Sequence, residues 1–212
     1  MRCPVRADAR AVAGALAPAA PAWLLPWPVL AWVLWLLVLL AAPVARSQAV
    51  DSPPGAIPLQ LAAGTQQASG WPALRMLRAP AGQGPADARA AWLRRADFAV
   101  PATPSGNLGP YDGSTWLHLP LQLAVDAPAT WFLALDYALL HRVQVSVLDA
   151  TGRLQQTVEL GALVAHRQRP MPTRALVAPL QLRPGELQHV ILRIETPTGQ
   201  LVEPMLLQPG AL

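Results

Sequence analysis

From Thr115 onward the chain alternates apolar and polar residues with a period of two, the spacing that a strand places on its two opposite faces. Leu117, Leu119, Leu121 and Leu123 alternate with His118, Pro120 and Gln122. Trp131, Leu133, Leu135 and Tyr137 do the same, as do Val143, Val145 and Val147. Leu154–Leu160, Ala175–Leu182, Leu187–Thr196 and Leu201–Gln208 continue the series. Turn clusters such as Ala150-Thr151-Gly152 and Arg183-Pro184-Gly185 lie between them. Short strands joined by turns predict an all-β fold, a jelly-roll-like β-sandwich. No helical periodicity separates the strands, which argues against a parallel α/β sheet.

The region upstream is less regular. Residues 50–70 read as a lead-in segment with one edge strand near Ile57–Leu61. Trp71–Leu77 predicts a strand that Pro72 keeps from a sheet centre. A turn at Ala79–Pro85 leads to one short helix over Ala86–Arg95, with Asp87 near its start and arginines at its end. Pro101–Gly113 reads as a loop, with a turn at Asn107-Leu108-Gly109 that uses the conformational freedom of glycine. The 24 prolines and 14 glycines suit such a chain and not a helical bundle.

Residues 1–49 carry the parts of an export signal in order. Arg2, Arg6 and Arg10 precede an unbroken apolar run, Leu30–Ala42, and Ser47-Gln48-Ala49 supplies small residues for cleavage. The competing reading is an uncleaved anchor extending back to Ala22, interrupted by Pro26 and Pro28. Both readings put the remainder in the periplasm, since arginines before an apolar run stay inside. The expected plan is therefore a signal peptide over 1–49, a lead-in over 50–70 and a β-sandwich over 71–212. The one cysteine, Cys3, lies in the leader, so no disulfide is expected in the exported part.

The formal charge of +4 does not mark a nucleic-acid binder. All 16 basic residues are arginines, and four precede residue 50. The remainder holds 12 arginines against 11 acids, too balanced to draw much affinity from counterion release.

Catalytic signatures are missing. The sequence has no G-x-S-x-G, H-E-x-x-H, Walker or dinucleotide fingerprint. Its four histidines, 118, 141, 166 and 189, are scattered, and each is expected on a surface or a strand face and not on a metal. Asp112, Asp136, Asp149 and Glu159 include no pair marked for glycoside hydrolysis. The sequence thus points to a protein that is not an enzyme and uses no cofactor or metal.

One succession of residues is recognisable. It runs from WPALRML at 71–77 through Phe98 and Asn107-Leu108-Gly109 to WLHLPL at 116–121. WFLALDY, RVQVSVLDATG, Leu160-Gly161, Arg167-x-Arg169-Pro170 and ILRIETPTGQLVEPMLL follow. This resembles the periplasmic sensor domain of bacterial seven-transmembrane receptors with diverse intracellular signalling modules. The resemblance implies a jelly roll similar to carbohydrate-binding modules, placed ahead of membrane helices and an output domain such as a diguanylate cyclase or histidine kinase. It also implies a carbohydrate or small polar ligand, and the parent receptor's membrane helices as partner. His118 and Ala162 depart from the arginine and the acid that the family often has at these places. A stand-alone secreted carbohydrate-binding or adhesion module is the alternative reading. A homodimer is neither indicated nor opposed by the sequence.

The candidate ligand residues are Arg167, Arg169 and Arg174 in a proline-rich connection, Asp136 and Tyr137 at a strand end, and Trp116. Arginines there would grip a carboxylate or phosphate in a fork, or else tie their own loop to backbone carbonyls. Trp116 and Trp131 would stack on a sugar ring, or else fill the core.

Overall fold

A computed structural model of the protein describes residues 57–212. The expected leader lies outside the described residues. In chain order the strands are β1 (Leu59–Leu61), β2 (Gln67–Ser69), β3 (Arg75–Pro80), β4 (Asn107–Pro110), β5 (Gly113–Leu123) and β6 (Thr130–Leu135). They continue as β7 (Arg142–Asp149), β8 (Leu154–Leu160), β9 (Leu176–Gln181), β10 (Leu187–Glu195), β11 (Gly199–Leu201) and β12 (Met205–Leu207). One α-helix, α1 (Ala88–Leu93), lies between β3 and β4.

The larger sheet has the order β1-β5-β10-β7-β8, with β3 also paired to β5. The smaller has the order β2-β12-β6-β9, and β4 pairs with β11 in a separate ribbon. The alternation read from sequence is the reason the two sheets stack. Leu117, Leu119, Leu121, Val143, Val145, Val190, Leu192 and Ile194 face inward from the large sheet. They meet Trp131, Leu133, Leu135, Ala178, Leu180 and Leu206 from the small one in a single core. Burial of this kind contributes roughly 1.5–3 kcal/mol for each large aliphatic side chain. The fold is the expected all-β sandwich.

Two strand prolines sit where they cost no ladder bond. On one edge of β5, β3 pairs antiparallel with residues 113–118 and β1 parallel with residues 121–123. Pro120 falls in the gap between those ladders. Pro179 lies on β9, an edge strand of the small sheet. There the two sheets are stitched by a side chain: Gln156 of β8 donates from Nε2 to the Pro179 carbonyl at 2.6 Å and accepts from the Gln181 amide at 3.0 Å.

The large sheet has a second layer on its outer face. Asp87 caps α1 by accepting from the Ala90 amide at 2.7 Å. Trp92 of α1, and Phe98 just beyond it, pack onto Trp116, Leu148 and Ile191 in a second, smaller hydrophobic cluster. This uses the polar phase of the alternation, which is why β5 is buried on both faces along most of its length.

Several boundaries differ from expectation. Trp71–Ala73 is a 3-10 turn begun by Pro72, whose fixed φ suits a helical start, and the strand begins only at Arg75. The segment at 201–208 is divided into β11 and β12, with Pro204 between them. Asn107-Leu108-Gly109 is both turn and strand. Gly109 has a φ of 70°, Asn107 Oδ1 accepts from its amide at 3.1 Å, and β4 pairs there with β11 through a register shift. Residues 57–70 supply strands to both sheets.

Candidate ligand cavity

The end of the large sheet beyond α1 leaves its outer face open. The register sets Glu195 of β10 between Ser114 of β5 and Arg142 of β7, and Arg193 between Trp116 and Gln144. Ser114, Arg142, Arg193 and Glu195 form the floor of a cavity of about 680 Å³, of a size that holds a small ligand. Its walls come from Ala81–Ala86, from Tyr111 and Asp112, and from His141 and Leu163. A side pocket of about 150 Å³ adds Gln144 and Glu159 and shares Arg142, Arg193 and Glu195 with the main cavity.

Arg193 is the most constrained charge of the floor. Its guanidinium lies 5.4 Å from the centroid of the Trp116 ring and donates to Glu195 Oε1. Its Nε is buried without a partner. Trp116 is itself fully buried and donates from Nε1 to Ser114 Oγ at 3.0 Å, so the surface beneath the arginine is rigid. Arg142 is exposed on β7 beside it. Gly84 lets the wall approach this floor closely, since a Cβ there would lie 2.8 Å from Ser114 Oγ. The cavity therefore offers two guanidinium forks, the carboxylates of Glu195 and Asp112, and the apolar surface of Tyr111 and Leu163. Among the described residues no group of three or more histidine, cysteine or acidic side chains is placed to hold a metal.

The residues singled out from sequence lie in several places. Arg169 is tied to its own loop, donating from Nε to Val164 O at 3.3 Å and from Nη2 to Gly161 O at 3.2 Å. Arg167 lies exposed in the 3-10 turn His166–Gln168, and Arg174 is exposed ahead of β9. Asp136 is exposed just after β6, and Tyr137 packs against the main core. Of the six, only Trp116 touches the cavity's surroundings, from below Arg193. Trp131 is fully buried in the core and donates from Nε1 to the Pro128 carbonyl at 2.8 Å. Arg142, Arg193 and Glu195 were not singled out. Their signal was available in part, because Arg193 and Glu195 occupy the polar phase of β10.

Two histidines that look scattered in sequence meet in space. His118 Nε2 and His189 Nδ1 lie 2.9 Å apart beneath α1. Both are on strand faces, as expected, but neither is at the surface.

The described residues thus form a β-sandwich whose larger sheet carries an open cavity. Comparison with known families makes this specific. The description 7TMR-DISM extracellular 2 matches residues 72–208, most of the chain, and the chain belongs to that family. It is an extracellular sensor domain of this class of receptors. No curated protein matches it. Among solved structures it is similar to the β-glucuronidase of Faecalibacterium prausnitzii, at 15% identity and a TM-score of 0.35, over 57% of this chain and 20% of that one. It is also similar to the apo β-glucuronidase of Ruminococcus gnavus, at 11% identity and a TM-score of 0.35, over 64% of this chain and 29% of that one. The chain thus spans less than a third of the length of these enzymes, and nothing about activity follows from the likeness. No helix among the described residues is long and apolar enough to cross a membrane.

Proposed function

We propose that this domain senses a small polar ligand, a saccharide or a small hydroxylated acid, in the cavity floored by Arg142, Arg193 and Glu195. The observation that carries the reading is Arg193: a guanidinium held over a buried indole and lining a cavity beside a second arginine, Arg142. Hydroxyl and carboxylate oxygens are the acceptors that guanidinium donors bind. The ligand acts by population shift, favouring one arrangement of the strands that line the cavity and passing that bias to receptor membrane helices and an output domain such as a diguanylate cyclase or histidine kinase. The binding step itself needs no catalytic group. Periplasmic export by residues 1–49 belongs to the same reading.

A thermal-shift screen of the full-length chain against sugars, sugar acids and small carboxylic acids tests it. A ligand at 100 times its Kd stabilises by about 2.7 kcal/mol, which appears as a rise of several degrees. Arg193→Ala and Arg142→Ala should each abolish that rise. Hits that survive both substitutions would move the site elsewhere, and a screen without hits would count against small-ligand sensing.

A further inference from the structure

The part of the large sheet covered by α1 seals two imidazoles. His118 of β5 and His189 of β10 are diagonal neighbours, opposite Ile191 and Pro120 respectively. They share the 2.9 Å contact between Nε2 and Nδ1, and neither has exposed surface. One stretch of chain covers both. Trp92 stands edge-on to His189 and Phe98 edge-on to His118, each with ring centroids 6.0 Å apart. The outward nitrogens, Nδ1 of His118 and Nε2 of His189, are buried without a hydrogen-bond partner.

Proton counting shows what this arrangement tolerates. The neutral pair holds two ring protons, one in the shared bond and one on an outward nitrogen, whichever tautomer donates. A third proton puts an N–H on both outward nitrogens, neither with an acceptor, and a full charge against an apolar lid. The neighbouring charges add to that cost. Arg95, from the turn after α1, opposes a cation on either ring, and Arg75 of β3 opposes one on His118. Asp149, at the end of β7, is the group that favours one on His189. Burial, ahead of these charges, pulls His118 down to about 3 and His189 to about 4.

We propose that residues 86–98 form an acid-released latch, closed over the neutral His118–His189 pair and lifted when that pair takes up a proton. Its helix is six residues long, and its attachments besides the apolar cluster include Arg89 Nη1 on Gly152 O at 3.4 Å and the Met76–Ala99 bridge just beyond it. Once it lifts, the imidazoles regain their ordinary affinity for protons. Each proton taken up then favours the open form about tenfold for every pH unit below about 6.5. Residues 81–86, which run into the lid at Ala86, are one wall of the ligand cavity. Acid release would therefore also lower ligand affinity, a coupling that rests on the proposed function, whereas the latch does not.

Hydrogen exchange of the full-length chain, corrected for the intrinsic pH dependence of exchange, tests the latch without any ligand. With two rings each gaining about tenfold per pH unit below about 6.5, amides of residues 90–97 should open on the order of a thousandfold more at pH 4.5 than at pH 7. Those of β6 and β10 should remain the better protected at both pH values. His189→Gln leaves His118 a side-chain carbonyl to donate to and removes one titrating ring, so the pH response should shrink at least tenfold. Opening that does not change with pH, or an undiminished response in the variant, would overturn the proposal. If the variant does not fold, an NMR titration of the native imidazoles decides: rings that charge near pH 6.5 under a still-protected lid would also overturn it. A latch that responds to acid while ligand affinity does not would sever only the coupling to the cavity.

Discussion

Gly152 and Trp92 leave no space between them. A Cβ on the glycine would lie 2.6 Å from the indole Cδ2, and its φ of 76° is one that side-chain-bearing residues resist. The β7–β8 turn is thus a socket for the indole, closed by Arg89 of the same helix reaching the Gly152 carbonyl. Gly152→Ala should cost about 1 kcal/mol in backbone strain and about 1–3 kcal/mol in overlap. A thermal melt should fall by on the order of 5–10 °C. An unchanged melt would show that the indole does not depend on this socket.

Acid should weaken the fold in a defined window. Both buried imidazoles bind protons more weakly folded than unfolded, so their contribution is fully present above the unfolded value of about 6.5. It is lost as pH falls from there toward about 4 for His189 and about 3 for His118. The slope is about 1.4 kcal/mol per pH unit for each proton taken up. Urea unfolding at pH 7.5, 6, 5 and 4.5 should show stability level at the top and then falling. A profile flat from pH 7 to 5 would mean that the pair titrates normally.

Gln156 should behave as a seam residue. Gln156→Ala leaves the Pro179 carbonyl and the Gln181 amide without their partner, a loss of about 1–3 kcal/mol. Its midpoint in urea should drop, and Gln156→Glu, which keeps an acceptor for Gln181 but no donor for Pro179, should fall between. If both variants match the native chain, water replaces the side chain there at no cost.

Arg169 should prove to be a loop restraint. Its guanidinium serves the Val164 and Gly161 carbonyls. Arg169→Ala should lower the melt by a few degrees and loosen residues 161–169 to proteolysis, with any ligand-induced shift retained. Loss of the ligand shift at unchanged stability would restore this arginine to the binding site.

The strands were legible because alternation is a local property. Leu154–Leu160 has the same limits in sequence and in space, and β10 differs from its expected span only by Thr196. Pairing was not legible. His118 and His189 meet only because β5 lies beside β10 in one register, and a shift of one residue would put the two rings on opposite faces of the sheet. The same register gathers Arg193, Glu195 and Arg142, residues whose sequence neighbours are ordinary strand residues. Arg167, Arg169 and Arg174 drew notice for the opposite reason, since clustering in a loop is visible without knowing the fold. Pro72 marked a break correctly but of another kind, a helical turn where a strand was expected.

The position of β12 has a consequence for the order of folding. The small sheet sets β12 between β2 and β6, so Gln67–Ser69 cannot bond until Met205–Leu207 has been made. The central ladders β5, β10 and β7 are complete once Glu195 exists. Contacts so distant along the chain form slowly, because a long loop must close before they contribute. During synthesis the large sheet can therefore stand for a time with Trp131 and Leu133 of β6 only half enclosed. A chain stopped anywhere between Glu195 and Met205 would hold a finished floor under an unfinished roof, and its exposed β6 edge would be open to pairing with another chain.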